Sequence, residues 1–409
     1  MSDFKIFENG SVTEPKGFRA SGVKAGLKRS GNTDMALVCS DHPCSFAAAF
    51  TSCTFAAAPV QVSRRRADSG QALRAVIINS GNANACTGKT GLANAETMCE
   101  CVADMLDIPA DEVMVASTGR IGVQLPMEKI KDGIALACEL LDPDAGVNAA
   151  KAIMTTDTVP KHLAVELELN GVPVRIGAMT KGVGMIDPKL NTVPHATMIC
   201  IVTTDAEISG ALLTRITREA VGRSFNRITV DGDMSTNDTV IVMANGAAGV
   251  RVEDGSSAED DFADALEAVM RELARKMVLD GEGATKFVEI RVNNARDEET
   301  ARLCAEAVAN SLLCKTAWFG CDPNWGRIVA ALGYSGADFD PDNVNIYYND
   351  TAVVSQGGDA GTKEEDLAMI LRGNEFTITV ELNNGDAEYW VWTSDISYEY
   401  VKINAEYHT

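Results

Sequence analysis

Six short stretches hold most of the residues that could do chemistry. They are Asn79-Ser80-Gly81-Asn82-Ala83-Asn84-Ala85, Ala116-Ser117-Thr118-Gly119, Met154-Thr155-Thr156-Asp157-Thr158, Lys181-Gly182-Val183-Gly184-Met185-Ile186, Ala196-Thr197-Met198 and Val230-Asp231-Gly232-Asp233. Small residues let backbone amides approach a ligand, and hydroxyls and amides give neutral hydrogen bonds. That combination suits a carbonyl or carboxylate ligand better than a nucleotide. No Walker loop, HExxH or GxSxG occurs, and Gly182-Val183-Gly184 lacks the rest of a dinucleotide fingerprint. The four histidines, His42, His162, His195 and His408, are too scattered to suggest a triad. Cys99 and Cys101 are the only close cysteine pair, and without a second pair at ligand spacing they make a weak case for metal. These stretches alone point to a small-molecule enzyme or binding protein.

The chain has 409 residues, 46% hydrophobic and 23% charged, enough for a large core and unlike a disordered protein. With 36 basic and 58 acidic residues its formal charge is −22, which repels phosphate backbones and anionic membranes. No apolar run approaches the roughly 18 to 20 residues that span a bilayer. Met1 to Gly10 does not read as a signal peptide, and the 11 scattered cysteines suit reduced thiols, so a cytoplasmic location is expected.

The elements that must position these stretches alternate in type. Arg74 to Asn79 reads as a buried strand ending at a Ser80-Gly81-Asn82 turn, and Thr90 to Leu106 as a helix. Val165 to Leu169 and Val172 to Ile176 flank Asn170-Gly171, a hairpin signature. From Asp260 to Leu279, Phe262, Leu266, Val269, Leu273 and Met277 share one helical face, with acids in the first turns favoured by the helix dipole. Phe287 to Val292 predicts a strand, Glu299 to Leu313 a helix, and Phe376 to Leu382 a hairpin with Tyr389 to Thr393 through Asn383-Asn384-Gly385. The fold class is α/β or α+β with much antiparallel sheet, and the turn near Gly283 is the best domain boundary, giving 1–284 and 285–409.

Taken in order, these stretches resemble the ornithine acetyltransferase family of arginine biosynthesis. Pro15-Lys16-Gly17-Phe18-Arg19-Ala20 begins the resemblance. Asp231-Gly232-Asp233-Met234-Ser235-Thr236-Asn237-Asp238, Asp280-Gly281-Glu282-Gly283-Ala284-Thr285-Lys286, Asp322-Pro323-Asn324-Trp325-Gly326-Arg327 and Asn404-Ala405-Glu406-Tyr407-His408-Thr409 complete it. The resemblance implies a layered αββα core of the self-cleaving N-terminal-nucleophile kind followed by a C-terminal α+β domain. It implies cleavage between Ala196 and Thr197, leaving an α chain of 1–196 and a β chain of 197–409 in an α2β2 assembly. Thr197 would be the nucleophile, and its freed α-amine, with a reference pKa of about 7.7 to 8, would accept the hydroxyl proton.

The same resemblance implies oxyanion donors at Thr118 and Gly119. It implies substrate contacts at Lys181, at Thr155 or Thr156, and at Glu282, Asn404 and Thr409. The substrates would be N-acetylornithine and glutamate, with no cofactor and no metal. Some members also use acetyl-CoA, and no motif here decides that point. The stretch from Lys181 to Thr197 is longer than the family pattern and contains Thr192, but the context of Ala196-Thr197-Met198 followed by an apolar run and Thr203-Thr204-Asp205 selects Thr197. Arg120 and Met234 depart from the pattern and bear on substrate identity more than on reaction type. Two alternatives stand: a self-cleaving aminopeptidase or amidase, and an unprocessed amino-acid-binding protein.

Overall fold

A computed structural model describes residues 4–187 and 198–406. Two compact units form. The first holds the chain up to Asn226 together with Met234–Met277, and the second holds Arg227–Asp233 and the chain from Val278.

The strands of the first unit are β1 (Phe4–Phe7), β2 (Phe18–Val23), β3 (Met35–Phe50), β4 (Leu73–Asn82), β5 (Val113–Arg120), β6 (Lys161–Leu169), β7 (Val172–Lys181), β8 (Ile199–Thr204), β9 (Glu207–Ile208), β10 (Thr239–Ala244) and β11 (Arg251–Val252). Its helices are α1 (Ala58–Ser69), α2 (Gly88–Leu106), α3 (Met127–Glu139), α4 (Gly146–Ile153), α5 (Gly210–Gly222) and α6 (Ser257–Leu279). Nine strands join in the order β1-β6-β7-β8-β10-β3-β4-β5, with β2 beside β3. Strand β3 belongs to both halves: Met35 to Cys44 pairs with β4, and Ser45 to Phe50 pairs with β10.

Alternation along the strands builds the layers, because successive side chains leave a strand on opposite faces. Met35, Leu37, Ala75, Ile77, Val113 and Val115 pack on Met98, Val102, Ile130 and Ile134 of α2 and α3. Their neighbours Ala36, Val38, Val76, Ile78, Met114 and Ala116 face Met179, Ile199, Ile201, Ile241 and Met243 of β7, β8 and β10, with the alanines of α4 filling the gap. On the other face of β7, Thr180 Oγ1 lies 3.7 Å from Sδ of Met277 in α6. The order is therefore helix, sheet, sheet, helix, the expected αββα core. Strand β4 reads as a continuous apolar run because both its faces are covered.

Several local expectations hold. Asn170 and Gly171 both take positive φ between β6 and β7, and the apolar stripe of α6 is buried from Phe262 to Met277. The turn expected at Ser80-Gly81-Asn82 is instead the end of β4, paired with Thr118 to Arg120 of β5. A small-residue cluster reads as a turn from local composition, but here it continues the ladder where β5 supplies partners.

In the second unit are β12 (Phe287–Ala295), α7 (Glu298–Ala309), α8 (Leu312–Phe319), α9 (Trp325–Gly333), β13 (Asn345–Tyr348), β14 (Thr351–Ser355), β15 (Gly358–Asp359), α10 (Glu364–Leu371), β16 (Glu375–Glu381), β17 (Ala387–Ser394) and α11 (Tyr398–Glu406). Its sheet runs β15-β14-β13-β16-β12-β17. The expected hairpin of β16 with β17 is not formed: β12 lies between them, parallel to β16 and antiparallel to β17. Helix 299–313 is likewise two helices, broken where the Ser311 side chain caps α8 by accepting from the Cys314 amide.

Candidate active site

Thr118 and Gly119 close β5, and Lys181 closes β7. The strand ends meet: Lys181 Nζ lies 3.3 Å from Thr118 Oγ1, with both residues buried. An ammonium beside a hydroxyl and a glycine backbone can stabilise negative charge developing on a carbonyl oxygen. The arrangement is braced from below. Asn237 Nδ2 donates to the carbonyls of Ser117 and Ala83, at 2.8 and 2.6 Å. Ser117 Oγ donates to Asn79 Oδ1 at 2.6 Å, and Asn79 Nδ2 donates to the carbonyl of Asn82 at 2.8 Å. The amide-rich stretches thus hold the peptide preceding Thr118.

Asp157 organises the next part. Its side chain is fully buried and paired with Lys161 at 2.7 Å. Oδ1 also accepts from the Gly182 amide, and Oδ2 from the Thr155 amide, each at 2.9 Å. Burial pushes its carboxyl up, but the charges of Lys181 and Lys161 and the Gly182 hydrogen bond prevail and hold it down to about 2. Nearby, burial lowers the Lys28 ammonium to about 8 despite Asp34, with Lys181 lowering it further. Lys28 Nζ donates to the carbonyls of Thr33 and Ala152, at 2.7 and 3.3 Å.

Two of the expected cleavage-point neighbours are fixed on this face of the core. The Met198 amide donates to Oδ1 of buried Asp238, and Ile199 is the register partner of Lys181. Ala196, Thr197 and Thr409 lie outside the described residues, as do Thr192, His195 and His408.

Glu282 and Asn404 belong to the second unit, and they meet there: Asn404 Nδ2 donates to Glu282 Oε2 at 2.9 Å. The contact exists because α11 docks on the Gly281–Gly283 turn, where Ser397 Oγ donates to the Gly283 carbonyl at 2.6 Å. Tyr400 Oη donates to Asp231 Oδ2 at 3.3 Å, and burial followed by the Asp231 charge pushes its phenol upward.

The structure therefore brings Thr118, Gly119 and Lys181 together, with Thr155 tied to the same carboxylate, and separately joins Glu282 to Asn404. Thr155 and Thr156 are both half-buried, and only Thr155 has its amide on Asp157. His162 is committed to the Gly10 carbonyl, 2.8 Å away, and Arg120 is exposed. Asp157, Asn237 and Asp238 stand in the stretches quoted above but carry no individual role in the sequence reading, and Lys161 lies outside those stretches. The available signal was a carboxylate inside a hydroxyl-rich stretch, but its partners come from β6 and β7. Among the described residues no three His, Cys, Asp or Glu side chains could hold a metal ion, and no helix is long and apolar enough to cross a membrane.

Hydroxyl, backbone and ammonium groups converging at strand ends of a layered αββα core define an α/β protein with a site for a carbonyl- or carboxylate-bearing ligand. The chain belongs to the ArgJ family, which it matches over residues 19–409. It is 50% identical over 396 residues to the arginine biosynthesis bifunctional protein ArgJ of Geobacter sulfurreducens, covering 96% of this chain and 99% of that one. It is 48% identical over 403 residues to the protein of the same name from Symbiobacterium thermophilum, covering 98% and 99%. It is also 47% identical over 410 residues to a glutamate N-acetyltransferase of Methanocaldococcus jannaschii, with coverage of 98% and 99%.

Proposed function

We propose that this chain cuts itself between Ala196 and Thr197 and then moves an acetyl group from N-acetylornithine to glutamate in arginine biosynthesis. The Thr197 hydroxyl attacks the acetyl carbonyl while the Thr197 α-amine takes its proton. The C–N bond breaks, ornithine leaves as the protonated amine, and acetyl remains as an ester on Thr197. Glutamate's amine then attacks that ester, giving N-acetylglutamate and returning the hydroxyl. Thr118 and Gly119 receive the negative charge of each tetrahedral intermediate, with Lys181 adding positive potential. Thr155 or Thr156, Glu282, Asn404 and Thr409 hold the amino-acid portion.

Membership of the ArgJ family, with relatives named as an arginine biosynthesis bifunctional protein and as a glutamate N-acetyltransferase, supports the reading. The observation that carries it is local. Met198, bonded directly to Thr197, is anchored by its amide on Asp238, and Ile199 sits in register with Lys181, whose ammonium reaches Thr118. No resident cofactor is needed. Acetyl-CoA requires only the same hydroxyl, and acetylglutamate formation from acetyl-CoA without acetylornithine measures that second activity. We place the two fragments in one α2β2 assembly, in the cytoplasm, where the free cysteines stay reduced.

The test is intact mass before and after incubation with N-acetylornithine. The 43.5 kDa chain separates into fragments 1–196 and 197–409, and the second gains about 42 Da, an acetyl in place of a proton. Thr197→Ala stays whole and gains nothing. A cleaved protein that releases acetate to water, without needing glutamate, is an amidase. One that stays intact and binds amino acids without turnover is a binding protein.

A further inference from the structure

We propose that Asp157 is a positioning residue of the acetyl-transfer site: its carboxylate ties the Thr155–Thr156 segment to the Lys181–Gly182 turn and keeps the Lys181 ammonium facing Thr118. The inference deepens the acetyl-transfer reading and rests on it. One carboxylate receives the amide of Thr155, which follows α4, and the amide of Gly182, which follows β7. It also receives the ammonium of Lys161, the first residue of β6. Lys161, bonded to Asp157, and Lys181, whose charge acts on it, come from the adjacent paired strands β6 and β7.

An ionised carboxylate suits this position and an amide does not. All three partners are donors, so an asparagine would turn its NH2 group onto one of them. The charged groups acting around the site are Lys28, Lys161, Lys181 and Asp34. Since Lys181 stabilises the Asp157 carboxylate, the carboxylate equally stabilises the protonated form of Lys181, and it does the same for Lys28. Removing its charge makes both ammonium groups easier to deprotonate.

The experiment compares wild type, Asp157→Asn, Asp157→Glu and Lys161→Met. Steady-state acetyl transfer is measured across about pH 6 to 10 and normalised to the acyl-enzyme burst. For Asp157→Asn, kcat/KM is expected to fall about 100-fold, with its alkaline limb displaced toward lower pH. Asp157→Glu keeps the charge, so its limb stays at the wild-type position although its rate drops. Lys161→Met, which leaves the carboxylate in place beside Lys181, loses about tenfold and serves if the asparagine variant does not fold.

Wild-type kcat, KM and pH limb in Asp157→Asn would overturn the proposal while leaving acetyl transfer intact. So would a loss confined to the burst amplitude with an unmoved limb, the signature of a merely structural role. A wild-type protein that transfers no acetyl overturns the functional reading itself.

Discussion

Gly119 of β5 faces Gly81 of β4 so closely that a Cβ on Gly119 would lie 2.5 Å from the Gly81 carbonyl carbon and 2.6 Å from the Asn82 nitrogen. Its φ of +126° is a conformation that side chains rarely adopt. Both obstacles are backbone, which cannot turn aside as a flexible side chain would. Gly119→Ala should therefore cost about 1 to 3 kcal/mol of stability and push the ends of β4 and β5 apart. Acetyl transfer should fall by more than the loss of folded protein explains. Urea unfolding alongside kcat of the folded fraction measures both, and an alanine variant with wild-type stability would mean that the strands are less tightly paired than described.

The 3.3 Å approach of Lys181 to Thr118 predicts that the two residues act as one unit. Thr118→Val deletes a proposed oxyanion donor and should lower kcat by about 100- to 1000-fold, with KM changed little. Lys181→Met should lower kcat/KM, and the double variant should lose clearly less than the product of the single losses. Multiplicative losses would show that the two groups act independently of each other.

Lys315 gives a pH prediction that does not depend on catalysis. It is buried in the second unit, donating to Thr393 Oγ1 at 2.6 Å and to the Ser394 carbonyl. Burial lowers its ammonium from 10.5 to about 7, against the pull of Asp231 and Asp395. Between those values the unfolded chain binds the proton and the folded chain does not, so stability from this group rises with pH across that window. Lys315→Met should flatten the rise: from pH 7 to 9.5 the unfolding free energy of wild type should gain on the variant's. Parallel stability curves would show that the lysine keeps its ordinary affinity for protons.

The sequence exposed local order well and distant pairing poorly. The stripe of α6 and the Asn170-Gly171 turn are set by residues a few positions apart, so periodicity and turn chemistry reveal them. Asn383-Asn384-Gly385 carries an equally good hairpin signal, yet β12, nearly ninety residues earlier, takes the place between β16 and β17. Turn residues state that the chain reverses, and they do not state which strand fills the gap. The site divides similarly. Thr118, Gly119 and Lys181 were found as motif residues, whereas Asp157 acquires its role only when β6 and β7 bring two lysines to it. Nor does composition reveal that Ser80 and Gly81 extend a strand, since their ladder partners are themselves site residues.

A last prediction concerns the C-terminal helix. Gly283 has φ +66°, and a Cβ there would lie 2.5 Å from the Tyr400 amide nitrogen, so α11 rests directly on the backbone of this turn. Gly283→Ala should lift α11 and break the 2.9 Å contact of Asn404 with Glu282, while β12 and the apolar core of the second unit are untouched. If Glu282 and Asn404 hold the amino-acid portion of the substrate, KM for acetylornithine should rise about tenfold with kcat nearly preserved, because uniform binding is lost and transition-state stabilisation is not. Glu282→Gln, which keeps the shape and removes the charge, should raise KM in the same direction without moving the helix. A fall in kcat at constant KM in both variants would instead assign the turn to the chemical step, and unchanged kinetics in both would remove Glu282 and Asn404 from the substrate's path.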